Sequence, residues 1–253
     1  MFPIRLSIAT LNLWKTKRWS KRQSALKKFV NVFCPDILCV QELKSEVLKF
    51  LDKVLPVHTR VHDDFIGWTD ECNIFWKTRF FENIEYGAEE IGILAENRKL
   101  FWIRLKLRGT DRTVFISTAH FTYQEHHDEL KTGLSPRIKQ SRNTVLMLKK
   151  LVINTEPAFF AGDLNDTVNP LLILHEAGYD NCFTALSIPC PSTFPSYPTG
   201  QYPSDNYVRF LNQTRDWIVA NQYSRPIIAQ VPHCYYGETA PSDHWPVLAV
   251  YEI

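Results

Sequence analysis

At 253 residues the chain is long enough for one large α/β domain with a substantial core. Apolar residues make up 45% and charged residues 22%, the ordinary balance of a globular protein, and no apolar run reaches the roughly 20 residues that cross a bilayer. With 29 basic against 27 acidic residues the net charge is only +2, which argues against a protein that coats nucleic acid non-specifically.

Residues 4–11 form a β-rich run that ends at Thr10-Leu11-Asn12. Directly after it come Lys15, Lys17, Arg18, Lys21, Arg22, Lys27 and Lys28, with no acid among them. This run reads either as the solvated face of a helix or as a positive rim that guides a phosphate-bearing substrate. Leu26, Phe29, Val30 and Phe33 recur at helical spacing over residues 20–33, and Cys34-Pro35 ends that helix. Residues 36–40 are a nearly continuous apolar run, as in a buried strand, and deliver Gln41-Glu42 at its end. Residues 45–55 again look helical. Over residues 100–108, Phe101, Ile103, Leu105 and Leu107 alternate with Trp102, Arg104, Lys106 and Arg108, which predicts a strand with one wet or edge-facing side.

A strand over residues 113–117 leads to Ser117-Thr118-Ala119-His120. Ser135-Pro136 is a helix start, a capping hydroxyl followed by proline, and Ile138, Val145, Leu148 and Val152 mark the buried face. Residues 158–161 form a strand running into Gly162-Asp163-Leu164-Asn165, and Asn169-Pro170 opens a short helix that Gly178 closes. The last strands cover residues 218–220 and 247–251, beside Arg215-Asp216 and Ser242-Asp243-His244. No internal repeat or linker interrupts this order, so a single domain over residues 1–253 is expected. The six cysteines lack a Cys-x-x-Cys pair, and no signal-peptide pattern opens the chain. Reduced thiols and an intracellular, cytoplasmic or nuclear, location are therefore expected.

Acids, amides and histidines that repeatedly follow strands imply strand ends converging on one polar site. Two carboxylates of such a set could hold a divalent metal, a third could act as a base, and two histidines could handle protons or phosphate charge. Glu42 is the best metal ligand, because a carboxylate ending a buried strand is costly unless paired or cation-bound. Its alternative is an ion pair with a lysine such as Lys44. Asn12 is a second oxygen ligand, an orienter of Glu42, or a turn residue. Asp163 and Asn165, two apart, would project to one side of an extended strand end, the acid accepting a proton from water and the amide donating to a phosphoryl oxygen. The competing reading is an Asx-turn. Asp216 would hold His244 in one tautomer and favour its cation.

The same residues in the same order resemble the endonuclease/exonuclease/phosphatase superfamily, DNase I-like enzymes among them, from Ile4 to Tyr251. The resemblance implies a four-layer α/β sandwich of two mixed β-sheets flanked by helices, and phosphodiester hydrolysis with Mg²⁺ or Mn²⁺. It makes Asp163 the water-activating base, Asn165 a substrate- or water-positioning group, Asp243 a metal-side carboxylate and His244 a phosphate-contacting or base-assisting imidazole. His120 takes the place of a histidine that acts as general acid or phosphoryl donor, where abasic-site endonucleases have tyrosine. Glu71 resembles an acid that pairs with that histidine, and Arg137 with Gln140 resembles a substrate-binding Arg-x-x-Gln pair.

The inositol 5-phosphatase signature Pro-x-Trp-Cys-Asp-Arg is absent, with Thr214-Arg215-Asp216-Trp217 in its place, and so is the Leu-Asp-Tyr-Ile context of deadenylases. His126-His127, among Gln124, Glu125, Asp128 and Glu129, reads as a solvated loop. Pro189, Pro191, Pro195, Pro198 and Pro203 alternate with Phe194, Tyr197 and Tyr202, suiting a polyproline ligand, a stiff substrate-facing loop or a plain connection. The resulting expectation is a monomeric nuclease or nucleic-acid phosphodiesterase, with a lipid, inositol or other small phosphate ester as the alternative substrate. A non-catalytic module of the same fold would show eroded metal and base positions, and none is missing.

Overall fold

Two mixed sheets of six strands each pack face to face in the computed structural model, which describes residues 3–196 and 213–253. Tyr197, Pro198, Tyr202 and Pro203 of the proline and aromatic segment lie outside the described residues. The first sheet takes β1 (Arg5–Asn12), β2 (Ile37–Gln41), β3 (His58–Arg60), β4 (Cys72–Lys77), β11 (Arg225–Gln230) and β12 (Val247–Glu252), in the order β11-β12-β1-β2-β4-β3. The second takes β5 (Phe81–Glu89), β6 (Leu100–Leu107), β7 (Thr113–His120), β8 (Ala158–Asp163), β9 (Tyr179–Asn181) and β10 (Asp216–Asn221), in the order β5-β6-β7-β8-β10-β9. Helices α1 (Trp19–Phe33) and α2 (Ser45–Val54) flank the first sheet; α5 (Pro136–Leu151) and α6 (Asn169–Glu176) pack with the second. Three short helices, α3 (Gly67–Asp70), α4 (His127–Thr132) and α7 (Cys182–Ala185), sit in connections. Among the described residues no helix is long and apolar enough to cross a membrane.

Strand alternation explains the layering. On β1, Leu6 and Ile8 enter the core shared with the second sheet, while Ala9 and Leu11 pack with Leu26, Phe29 and Val30 of α1 and Val47, Leu48 and Leu51 of α2. Full burial of side chains such as Ile103, Ile116 and Phe159, which share the face of the second sheet that meets the first, contributes about 1.5–3 kcal/mol each. One polar bridge crosses the layers. Gln41 Nε2 donates to Thr10 Oγ1 at 3.0 Å and to Thr118 Oγ1 on β7 at 2.8 Å. Both amide donors are therefore satisfied where solvent is absent, and the two sheets are tied together near the strand ends that carry Asn12 and His120.

Three local expectations need correction. The polar side of β6 is not wet, and β6 is not an edge strand. Arg104 is buried and ion-paired with Glu156 at 2.9 Å and with Glu85, while β5 takes the edge. The inner face of α5 is largely polar, with Arg137, Gln140, Ser141 and Thr144 buried beside Val145 and Leu148. Arg22, read as part of an exposed basic run, is fully buried.

Candidate active site

Strand register builds the centre of the site. Parallel pairing of β7 with β8 sets His120 opposite Asp163, and antiparallel pairing of β10 with β8 sets Asp216 opposite the same Asp163. Registered neighbours project to one face, so these three side chains form a single row at the end of the sheet. Gly162 makes the row possible, because a Cβ there would lie 2.2 Å from the Ala119 carbonyl oxygen. From the first sheet, Asn12 Nδ2 donates to Asp163 Oδ2 at 2.9 Å, and Asn12 Oδ1 accepts from the Trp14 N–H. Asn12 therefore orients Asp163, not Glu42.

Asp163 is 1% exposed. Its Oδ1 accepts the Asn165 backbone N–H at 2.9 Å, and the Asn165 side chain donates to the Phe121 carbonyl at 3.0 Å. This is the Asx-turn of the competing reading. Asn165 has left-handed φ (48°), which breaks the extended alternation assumed for it, yet it still lines the cleft with Asp163 while one amide N–H is given to the Phe121 carbonyl. The turn fixes the Asp163 carboxylate and so is compatible with the expected role of Asp163. Burial raises the Asp163 pKa to about 6, with His244 opposing the rise and Asp216 adding to it.

Two imidazoles flank Asp163 in opposite charge states. His244 Nδ1 lies 2.7 Å from Asp216 Oδ2, and its Nε2 is 3.8 Å from Asp163 Oδ2. Burial alone would lower its pKa, but Asp216, Asp163 and Asp243 outweigh that and raise it to about 10, so His244 is an imidazolium at neutral pH. His120 lies 3.4 Å from Asp163 Oδ2 through Nε2, and burial followed by the positive Arg98 and His244 lowers its pKa well below the usual imidazole value. His120 is neutral. Its Nδ1 is buried without a hydrogen-bond partner among the described residues, which favours the tautomer with the proton on Nε2, because a buried orphan donor is the rarer defect.

Glu42 and Asp243 form the facing wall. Glu42 has φ 51°, a left-handed conformation that is uncommon for a non-glycine residue. The Lys44 ion pair proposed as its alternative goes to Asp70 instead, at 2.9 Å. Burial in the cleft is the main cause that raises the Asp243 carboxyl to about 7; His244 opposes the rise and Glu42 adds to it. Two oxygen-donor acids on one wall, with the Asp243 carboxyl raised by burial and by the nearby Glu42 charge, are a donor set that a hard divalent cation relieves, so the residues fit such an ion. Asp163, Asp216 and His244 also have ligand atoms mutually within 4.8 Å, but the short Asp216–His244 contact makes that group a proton-holding cluster.

These side chains line a cleft of about 430 Å³ that also takes in Lys15, Lys17, Arg98 and Arg215, with Trp14, Tyr123 and Phe194 as its aromatic surfaces. The Phe194 ring lies 4.7 Å from that of His244 and 4.0 Å from the Arg215 guanidinium carbon, so it packs against the His244 imidazole. Arg98 escapes sequence reasoning, because it sits in an irregular segment without periodicity. It pairs with Glu71 at 2.7 Å, which removes Glu71 from the His120 partnership suggested by resemblance. Arg137 and Gln140 are not in the cleft lining. Arg137 is held by Glu129, Asp166 and the carbonyls of Thr122 and Tyr123, and Gln140 by Thr122 and the Gly92 carbonyl. Both are spent bracing the loops that carry the cleft lining, and neither faces a substrate. His126 caps α4 by accepting the Asp128 N–H, so the expected loop there is a helical turn.

No family model and no curated protein matches the chain. Solved structures do. An endonuclease/exonuclease/phosphatase family protein from Bacteroides thetaiotaomicron is 18% identical, with TM-score 0.79 over 99% of this chain and 98% of that one. A humanized D. rerio TDP2 is 17% identical, with TM-score 0.77 over 98% and 99%. The mannosyl-6-phosphatase of Bacteroides thetaiotaomicron VPI-5482 is 17% identical, with TM-score 0.77 over 98% and 100%. The fold of this chain, two mixed six-stranded sheets flanked by helices, is the DNase I-like fold of the endonuclease/exonuclease/phosphatase proteins.

Proposed function

We propose that the chain is a metal-dependent phosphoric ester hydrolase whose substrate is a nucleic-acid phosphodiester. The observation that carries the reading is the buried Asp163, held on both oxygens and flanked by a cationic and a neutral imidazole, facing the Glu42–Asp243 wall across a basic cleft. Asp163, with a pKa raised to about 6, takes the proton of the attacking water at its carboxylate. The His244 imidazolium, oriented by Asp216, neutralises charge that develops on a phosphoryl oxygen. Neutral His120 hydrogen-bonds through its Nε2–H to a phosphoryl oxygen or to the leaving-group oxygen without giving up that proton. Glu42 and Asp243 hold the cation, and Mg²⁺ or Mn²⁺ supplies Lewis-acid neutralisation of phosphoryl charge when bound.

Support for a nucleic-acid substrate comes from the cleft's cations and from its aromatic surfaces, which suit a polyanion with stackable bases. Among proteins of this fold, D. rerio TDP2 has been solved with a single-strand DNA product. The second reading is a small phosphate ester, favoured by a cleft volume of about 430 Å³ and by the fold's occurrence in a mannosyl-6-phosphatase. All six cysteines are unpaired, in keeping with a reducing, intracellular setting, and we read the chain as a monomer.

A panel of single- and double-stranded DNA, RNA, sugar phosphates, inositol phosphates and phospholipid head groups, assayed with Mn²⁺, separates the two readings. The expected result is cleavage of an oligonucleotide with a KM that rises steeply with salt. Refusal of every oligonucleotide together with cleavage of a small phosphate ester would replace the substrate and leave the site's chemistry standing.

A further inference from the structure

Arg22 lies in the first turns of α1 with 0% exposure. Its guanidinium donates to main-chain carbonyls in two separate segments. Nε reaches Lys17 O at 2.7 Å and Nη2 reaches Lys15 O at 3.1 Å, with a longer contact to Trp14 O at 3.5 Å. Nη1 reaches Pro241 O at 2.6 Å, two residues before Asp243. The rings of Trp14 and Trp19 lie 5.3 and 5.5 Å from the guanidinium carbon. A planar fork with five N–H groups can serve such divergent carbonyls at once, and an ammonium cannot.

The bridged segments need holding. Trp14, Lys15 and Arg18 have φ of 54°, 47° and 49°, a left-handed conformation that non-glycine residues rarely adopt in succession. Trp14, Lys15, Lys17 and Asp243 all line the cleft. Burial lowers the guanidinium pKa to about 10, against the pull of Asp243 and Glu42, so the group remains a cation at neutral pH.

We propose that Arg22 is a positioning residue, tying the loop that carries Trp14, Lys15 and Lys17 to the turn that carries Asp243, so that Asp243 is set against Glu42. The proposal rests on the reading of Glu42 and Asp243 as the metal side. It assigns one buried side chain to two tasks, the shape of the basic wall and the spacing of the metal carboxylates.

Arg22→Lys isolates the fork from the charge. Mn²⁺ binding to wild-type and variant protein, followed by electron paramagnetic resonance without substrate, is measured beside circular dichroism and kcat on a phosphodiester. The expected variant is folded, binds Mn²⁺ about 10–100-fold more weakly and loses kcat to a similar extent, the cost usual for groups that orient metal ligands. A folded variant with wild-type Mn²⁺ affinity and turnover overturns the proposal. Wild-type protein that binds no Mn²⁺ overturns the metal reading, and the proposal with it. Should Arg22→Lys not fold, hydrogen exchange on the wild-type protein decides. Added Mn²⁺ should slow the amides of residues 14–18, which contain no metal ligand, together with those of residues 241–244. Protection confined to the segments of Glu42 and Asp243 overturns the proposal.

Discussion

Asp163→Asn is expected to lower kcat on a phosphodiester by about 10²–10⁴-fold, the usual loss when a general base is removed. The amide has nearly the carboxylate's shape but cannot take the water's proton. Its oxygen can keep one of the two hydrogen bonds now made to Asn12 Nδ2 and the Asn165 N–H, while its NH₂ faces the other donor. A local cost of about 1–3 kcal/mol follows from the unpaired donor, well short of unfolding a domain. Steady-state kinetics beside a thermal melt read both effects. Unchanged kcat would move the base elsewhere, and a collapsed transition would make Asp163 structural.

His244→Ala is expected to lower kcat by about 10²–10³-fold, because it removes the charged donor aimed at the phosphoryl oxygen. Asp216→Asn should act on the same step, since Asp216 lies 2.7 Å from His244 Nδ1 and favours the imidazolium. The double variant should then be little slower than His244→Ala alone. Multiplication of the two defects would show independent roles. The pair also carries a stability signature. The His244 pKa is raised from 6.5 to about 10, so its contribution is complete below pH 6.5 and is lost as pH rises toward 10. The stability difference between wild type and Asp216→Asn should therefore narrow over that range.

Much of this site is visible in the sequence because its members sit at strand ends, where apolar runs stop abruptly at an acid, an amide or a histidine. Asn12, Glu42, His120, Asp163, Asp243 and His244 are all brought to one cleft. What sequence could not supply is pairing. That His120, Asp163 and Asp216 share one row depends on β8 lying between β7 and β10, a non-local choice no short motif encodes. Asn165 reaches the cleft, but by a turn and not by strand alternation, because its φ is 48° and the alternation rule holds only while φ stays extended. Glu71 and Arg98 find each other across 27 residues of chain. Arg22 misleads in another way, since arginines in a basic run are ordinarily solvated, and the carbonyls that bind it come from the backbone path of residues 14–17 and from the distant Pro241. Arg137 and Gln140 show the converse, a helix face whose polar residues look free in sequence and are consumed inside the fold.

The central claim is hydrolysis of a phosphate ester assisted by a hard cation at Glu42 and Asp243. It is tested most directly by hydrolysis of a small chromogenic phosphodiester with protein stripped of metal by EDTA and then dialysed. The account predicts negligible turnover in the stripped protein and recovery on adding Mg²⁺ or Mn²⁺, with Zn²⁺ poorer. Full turnover by metal-free protein in EDTA would contradict it.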